Sequence, residues 1–367
     1  MNSKATISSA QLILSLIILR LAFSTNSIAG ISPGTSIQDI LFAVPVVFII
    51  NLIIALPIFM LLKRHPGRDL MECSTQIFGK GVGFFICIIY FCFFLGLSSL
   101  QLGTFQMYFQ TFVFSQTSAY IIGIPIIIVC IYGAIKGVES IMRFGVFVFI
   151  IYAIISTMII ISTLPNADMN YLKPFFYEGP NYFLQAVLAG VNSSSQILFI
   201  AMFVPFIKPG TKIVKAFITW NALAMLILLL LEFAVVINMG PFASKQLFPL
   251  ATLSLISKVT IFERIDNLDM ISWIFNSILN ICLCLFVASQ CIMRTPLKKW
   301  RRTIIAITSV LILIIGSLYS KVYLQYLNIY NNGLFTIIFI LLVIIIPLIV
   351  LITDIVKGKV AANEEVN

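Results

Sequence analysis

Charge is scarce in this chain. Only 10% of its 367 residues are Asp, Glu, Lys or Arg, while 60% are hydrophobic and the mean hydropathy is +1.10. So little polar surface excludes a soluble domain and implies a polytopic membrane protein in a lipid bilayer. Histidine is scarcer still, with His65 alone. Without a His/Cys cluster at ligand spacing, no metal site is expected. No nucleophile–base set or phosphate-binding loop argues for catalysis, so neither an enzyme nor a cofactor is expected. The cysteines at 73, 87, 92, 130, 282, 284 and 291 fall mostly inside apolar runs, where they act as small apolar residues rather than a disulfide frame. The net charge of +10 is no nucleic-acid footprint, because the cations sit in short loops between apolar segments.

What the chain has in abundance is long apolar runs. Ten reach roughly 20 residues or more, the length that crosses a bilayer core. They cover about 7–31, 37–62, 82–108, 117–135, 141–164, 181–207, 213–239, 268–293, 303–320 and 333–354. Met1–Ala22 resembles a signal peptide, with Lys4 ahead of an apolar run, but nine further spans make it a first transmembrane helix. Most of the 23 Lys and Arg fall in loops on one side; Lys173, Lys245, Lys258, Arg264 and Lys321 fall on the other. The positive-inside rule then predicts that both termini are cytoplasmic, as an even span count also requires. One transmembrane domain over 1–356 is expected, followed by a short cytoplasmic tail, 357–367.

Two loops carry structure of their own. In the cytoplasmic loop Lys63–Lys80, Pro66 and Gly67 signal a turn, Asp69 starts a short amphipathic helix and Gly79 can end it. Outside, the stretch at about 246–261 reads as a helix lying on the membrane surface.

The sixth span is interrupted. Gly190, Val191, Asn192, Ser193, Ser194, Ser195 and Gln196 break an otherwise apolar run. Polar backbone at membrane depth is tolerated only where it lines a cavity or packs against protein. The first span has a matching interruption at Ser24, Thr25, Asn26 and Ser27, one five-span repeat earlier. Repeats with an odd number of spans insert in opposite orientations. The pair therefore predicts an all-α inverted 5+5 repeat, 5–164 and 178–356, with broken first and sixth helices and a central site. A helix N-terminus there could meet a carboxylate, and freed carbonyls an ammonium. Close helix packing through small residues is the alternative.

Other candidates flank those breaks. Phe94, Ser98 and Gln101 share one face of the third span, and Ser272, Asn276 and Asn280 recur every four residues in the eighth. Buried amides on one stripe need partners, which argues for an inward direction. Arg20 and Glu232 are charges deep within the first and seventh spans, candidates for gating or ion coupling or for a structural pair. Glu139 and Arg143, at i and i+4, predict a local ion pair.

Several short motifs occur in a fixed order. The run from Arg64 through Pro66, Gly67 and Glu72 to Gly79, Lys80 and Gly83 resembles a Pro-Gly…Glu…Gly-Lys signature. Gly137, Glu139 and Arg143 resemble a Gly-x-Glu-x-x-x-Arg stretch. Phe248 and Pro249, then Glu263, Arg264, Asp266 and Trp273, resemble a Glu-Arg-x-Asp…Trp stretch. Together these resemble the B subunits of spore germination receptors, the GerAB-like family, over about residues 5–356. That family is related to the amino acid–polyamine–organocation transporters of LeuT-like fold. One departure lies after Gly240 and Pro241, where the family often has an acidic residue. The resemblance implies a sensor of small nutrient germinants (amino acids, sugars or nucleosides) in the inner membrane of a bacterial spore. It implies partnership with an A-type subunit and a lipoprotein C-type subunit, and ion release on ligand binding. An active H⁺- or cation-coupled amino acid permease is the alternative, and an ion or water conduit opened by partner subunits is a third.

Overall fold

The computed structural model describes residues 6–24, 37–177, 179–257, 266–293, 300–322 and 333–364. Among them, nine helical segments are long and apolar enough to cross a membrane. A tenth, α1 (Ser9–Ser24), has 16 residues and ends where the described chain pauses. The second span, Ile37–Arg64, contains α2 (Ile40–Ile54) and α3 (Leu56–Arg64). Then follow α4 (Leu70–Phe112), α5 (Ala119–Lys136) and α6 (Val138–Thr163). The sixth span is α7 (Asn181–Asn192) plus α8 (Gln196–Phe203), and the seventh is α9 (Ile213–Met239). After a short α10 (Pro249–Ile256) come α11 (Asp266–Met293) and α12 (Arg301–Lys321). The last span is α13 (Gly333–Ile340) and α14 (Ile346–Glu364), joined by a π-helical turn, Leu341–Ile345.

Local chemistry accounts for several boundaries. Asp69 caps α4 by a capping box: Glu72 N donates to Asp69 Oδ1 at 2.8 Å and Asp69 N to Glu72 Oε2 at 3.3 Å. Gly79 interrupts α4 at φ 82°, ψ 174°, a conformation that favours glycine. The helix expected over Asp69–Gly79 is therefore present and turns directly into the third span. In the loop after the seventh span, α10 is shorter than the expected amphipathic stretch and begins at Pro249. In the last span, the π turn is met by Tyr90 OH, which donates to Leu342 O at 2.6 Å.

Burial sorts the spans into centre and rim. The sixth and eighth are 83% and 78% buried over their apolar windows, and no other measured span exceeds 50%. Rim helices carry exposed apolar side chains such as Phe85, Ile121, Ile128 and Ile154, as lipid contact requires. Around the centre, α1 packs on α6, α9 and α11, α4 runs along α11 and α12, and α2 packs on α7 and α9. The start of the chain is tied to the end of the sixth span by a parallel bridge. Ile7 N donates to Phe206 O at 2.7 Å and Lys208 N to Ile7 O at 3.0 Å. The first and sixth spans are thus joined at one end by backbone.

Candidate functional site

The gap in the sixth span is short and internally bonded. Ser193 N donates to Ala189 O at 3.0 Å and Ser194 N to Val191 O at 2.8 Å, and α8 restarts with Ile197 N on Ser194 O at 3.3 Å. The hydroxyls help: Ser193 Oγ donates to Ala189 O (2.8 Å) and Ser194 Oγ to Gly190 O (3.0 Å). Val191, Asn192, Ser193, Ser194, Ser195 and Gln196 are all buried. Ser194 mends the break at Gly190 O, the carbonyl its own N–H would have met in a continuous helix, because that N–H turns to Val191 O and the hydroxyl takes its place.

The first span meets this gap directly. Arg20, itself buried, donates from Nη1 to Ser194 Oγ at 2.8 Å. Gln196 Nε2 donates to Leu19 O at 3.2 Å. Asn192 Nδ2 donates to Thr336 Oγ1 of α13 at 3.0 Å. Ser24 is the last residue of α1; Thr25, Asn26 and Ser27 lie outside the described residues.

Two more helices wall the region. Phe94 of α4 meets Phe199 of α8 edge to face, centroids 5.0 Å apart. Ser98 Oγ donates to Phe94 O of its own helix at 2.8 Å and faces Cys284 of α11. Further along the same antiparallel pair, Tyr108 OH donates to Asp269 Oδ2 at 3.1 Å. That register puts Gln101 level with Asn280. Asn280 Nδ2 donates to Asn276 Oδ1 at 2.6 Å and to Asn276 O at 2.9 Å, so the stripe on α11 binds itself.

Buried polar atoms remain unspent around the gap. Gln101 is 1% exposed, yet neither its Nε2 nor its Oε1 has a partner among the described residues. Gln196 Oε1 and Asn280 Oδ1 are likewise bare. Unmade hydrogen bonds of buried amides cost about 1–3 kcal/mol each. A ligand that supplied partners to these atoms would offset that cost.

Arg20 and Glu232 do not pair. Glu232 is buried, but its Oε2 has no hydrogen bond and no cation lies within ion-pair distance among the described residues. Glu139 and Arg143 do pair, Nη2 to Oε1 at 2.6 Å. Gly190 serves packing: an added Cβ would lie 2.6 Å from Val47 Cγ2 of α2. A wider opening, about 670 Å³, lies elsewhere, between α5, α6 and α11. Its walls are largely apolar, and Val129 and Tyr132 open it to the lipid side, so it lacks converging polar groups.

The sequence marks Gln196 only as the end of the polar run and gives no role to Thr336 or Asp269. Asp269 sits three residues before Ser272, so extending that stripe by one turn reaches it. Thr336 carries no signal, because one threonine in a lipid-facing run is ordinary.

The chain is similar to known proteins along most of its length. A family model described as "Spore germination protein" matches residues 6–323. Spore germination protein YndE of Bacillus subtilis (strain 168) is 27% identical over 160 residues, 42% of each chain. Spore germination protein XB of Bacillus anthracis is 24% identical over 210 residues, 56% of this chain and 58% of the relative. Spore germination protein B2 of B. subtilis is 23% identical over 232 residues, 62% of each. The matched stretches thus span about half the length of those relatives. Among solved structures, the fold resembles Mhp1, a nucleobase-cation-symport-1 family transporter, at TM-score 0.65 and 12% identity, over 92% of this chain and 78% of that one. It also resembles a Na⁺-coupled sialic acid symporter at TM-score 0.61 and 12% identity, over 92% and 77%. The long apolar helices with an interrupted sixth span, a LeuT-like fold and a family match over most of the chain agree: this integral membrane protein belongs to the spore germination protein family.

Proposed function

We propose that the chain is the nutrient germinant-sensing subunit of a spore germination receptor. It binds a small zwitterion, an amino acid above all, beside the gap between α7 and α8. The observation that carries this reading is the Gln101 amide of α4, buried with neither of its polar atoms hydrogen-bonded among the described residues. Gln196 and Asn280 offer further acceptors for an ammonium, and the Gln101 NH₂ a donor for a carboxylate. Phe94 and Phe199 supply an apolar wall for a side chain. Arg20 and Glu232 act in gating or ion coupling. The full assembly includes A-type and lipoprotein C-type subunits in the spore inner membrane, with both termini cytoplasmic.

The test is binding. The purified chain is screened by thermal shift against the twenty amino acids, and any hit is measured again on Gln101→Met and Asn192→Ala. A saturable hit that weakens in both variants supports the pocket; a hit that neither variant changes sinks it. A second reading, a cation-coupled amino acid permease, is favoured by the likeness to two symporters, one of them Na⁺-coupled. Ionophore-sensitive accumulation of a labelled amino acid in proteoliposomes holding this chain alone would establish it over a pure sensor.

A further inference from the structure

A second set of polar side chains gathers nearer the start of α11. Asp269, Ser272 and Asn276 stand at i, i+3 and i+7, which keeps them within about 60° of one another around the helix. All three are buried, at 7%, 3% and 4% exposure. Two adjoining cavities, about 20 Å³ each, share Asp269, Ser272, Leu250 and Tyr152 of α6 as walls. Asn276 completes the first and Ser156 lines the second. Each has room for one water-sized body.

The donors are unusually free. A helical serine normally spends its hydroxyl on a carbonyl one turn back, as Ser98, Ser99 and Ser309 do here. Ser272 makes no hydrogen bond among the described residues, and it lines both cavities. Asp269 receives the Tyr108 hydroxyl on Oδ2 and meets no cation within ion-pair distance among the described residues. Asn276 Oδ1 accepts from Asn280 and keeps a second lone pair. A helix N-terminus by itself accounts for an acidic residue at Asp269. It does not account for an unbonded, buried serine and an oxygen-lined space beside that carboxylate.

We propose that Asp269, Ser272 and Asn276, facing Tyr152, form a binding site for one monovalent metal cation of about the size of Na⁺. The groups are a carboxylate, a hydroxyl, an amide carbonyl and a phenol, hard oxygens suited to an alkali ion. A single carboxylate matches a single positive charge, whereas Ca²⁺ takes six to eight oxygens and Mg²⁺ demands a regular octahedron. The space is too small for an organic ammonium. A bound cation also neutralises a buried carboxylate that meets no cation within ion-pair distance among the described residues. The site stands whether or not the central region senses a germinant.

The full-length chain, purified in detergent, is unfolded thermally in NaCl, KCl or choline chloride at equal ionic strength. Binding to the folded state alone raises Tm with RT ln(1 + [L]/Kd), so the shift should saturate with Na⁺ and be absent with choline. Ser272→Ala and Asp269→Asn should each weaken the apparent Na⁺ affinity by about tenfold or more. Ser309→Ala, on α12, should leave it unchanged. If Asp269→Asn fails to fold, Ser272→Ala carries the test, since it removes one hydroxyl that bonds nothing else. A shift larger in K⁺ than in Na⁺, lost in Ser272→Ala, keeps the site and assigns it the larger ion. Equal Tm in all three salts, or a Na⁺ shift untouched by Ser272→Ala, overturns the proposal.

Discussion

Arg20 and Ser194 bind the first span to the gap in the sixth, the guanidinium Nη1 donating to Ser194 Oγ over 2.8 Å. The same hydroxyl donates onward to Gly190 O, so one serine both mends the broken helix and holds a buried cation. The polar break is therefore a structural joint as well as a candidate pocket wall.

That double duty predicts an unequal serine series. Ser194→Ala removes an acceptor from a charged donor, a bond worth about 1.5–3 kcal/mol. Ser99 donates only to Leu95 O of its own helix, at 2.9 Å, so Ser99→Ala should cost under about 1 kcal/mol. Thermal unfolding of the two variants in one detergent checks the order. Equal losses would mean that the Arg20 contact contributes nothing.

Gln101 predicts the opposite pattern. Its amide has no partner to lose, so Gln101→Met should leave the ligand-free protein as stable or make it more stable, by up to about 2 kcal/mol. The same change should raise the germinant concentration for half-maximal response at unchanged protein level. Lower stability with a normal response would identify Gln101 as a structural residue.

Gly190 tests whether the gap's glycine serves packing or ligand. An alanine Cβ there would press on Val47 Cγ2, 2.6 Å away, and overpacking costs about 1–3 kcal/mol. Val47→Ala in the same chain should recover most of the lost stability and response. If response stays lost while stability returns, the backbone at Gly190 is itself needed for the ligand.

Much of this architecture is legible in sequence because lipid leaves few options. Long apolar runs must be helices, and polar residues inside them must face protein or a cavity. The helix start at Asp69, the break at Gly79 and the Glu139–Arg143 pair follow from local spacing and stand in the structure. Sequence gives no register between helices. Arg20 could have met Glu232 as readily as Ser194; only the packing of α1 on the sixth span decided it. In the same way, Ser98 reads as a ligand contact on a helical face, yet its hydroxyl turns back to Phe94 O. Whether a small side chain binds its own backbone or a neighbour depends on distances that spacing alone does not contain.

The orientation of the chain is the last expectation open to direct measurement. One end of the molecule gathers Ile7, paired with the chain at Ile207, and the Arg64 and His65 contacts with Asp354. The other end gathers Asp168, whose N donates to Ile237 O at 2.8 Å, together with Lys173 and Lys245 in the loops nearby. The cation-rich loops lie at the first end, and the positive-inside rule makes it cytoplasmic. Single cysteines placed at Lys212 and at Lys245 should therefore differ when intact cells meet a membrane-impermeant maleimide. The Lys245→Cys chain should label from outside, and the Lys212→Cys chain only after the membrane is opened. The seven native cysteines give the same background in both, since six are buried and the seventh, Cys92, lies within α4. Labelling of Lys212→Cys in intact cells would invert the molecule, putting the cation-rich end outside.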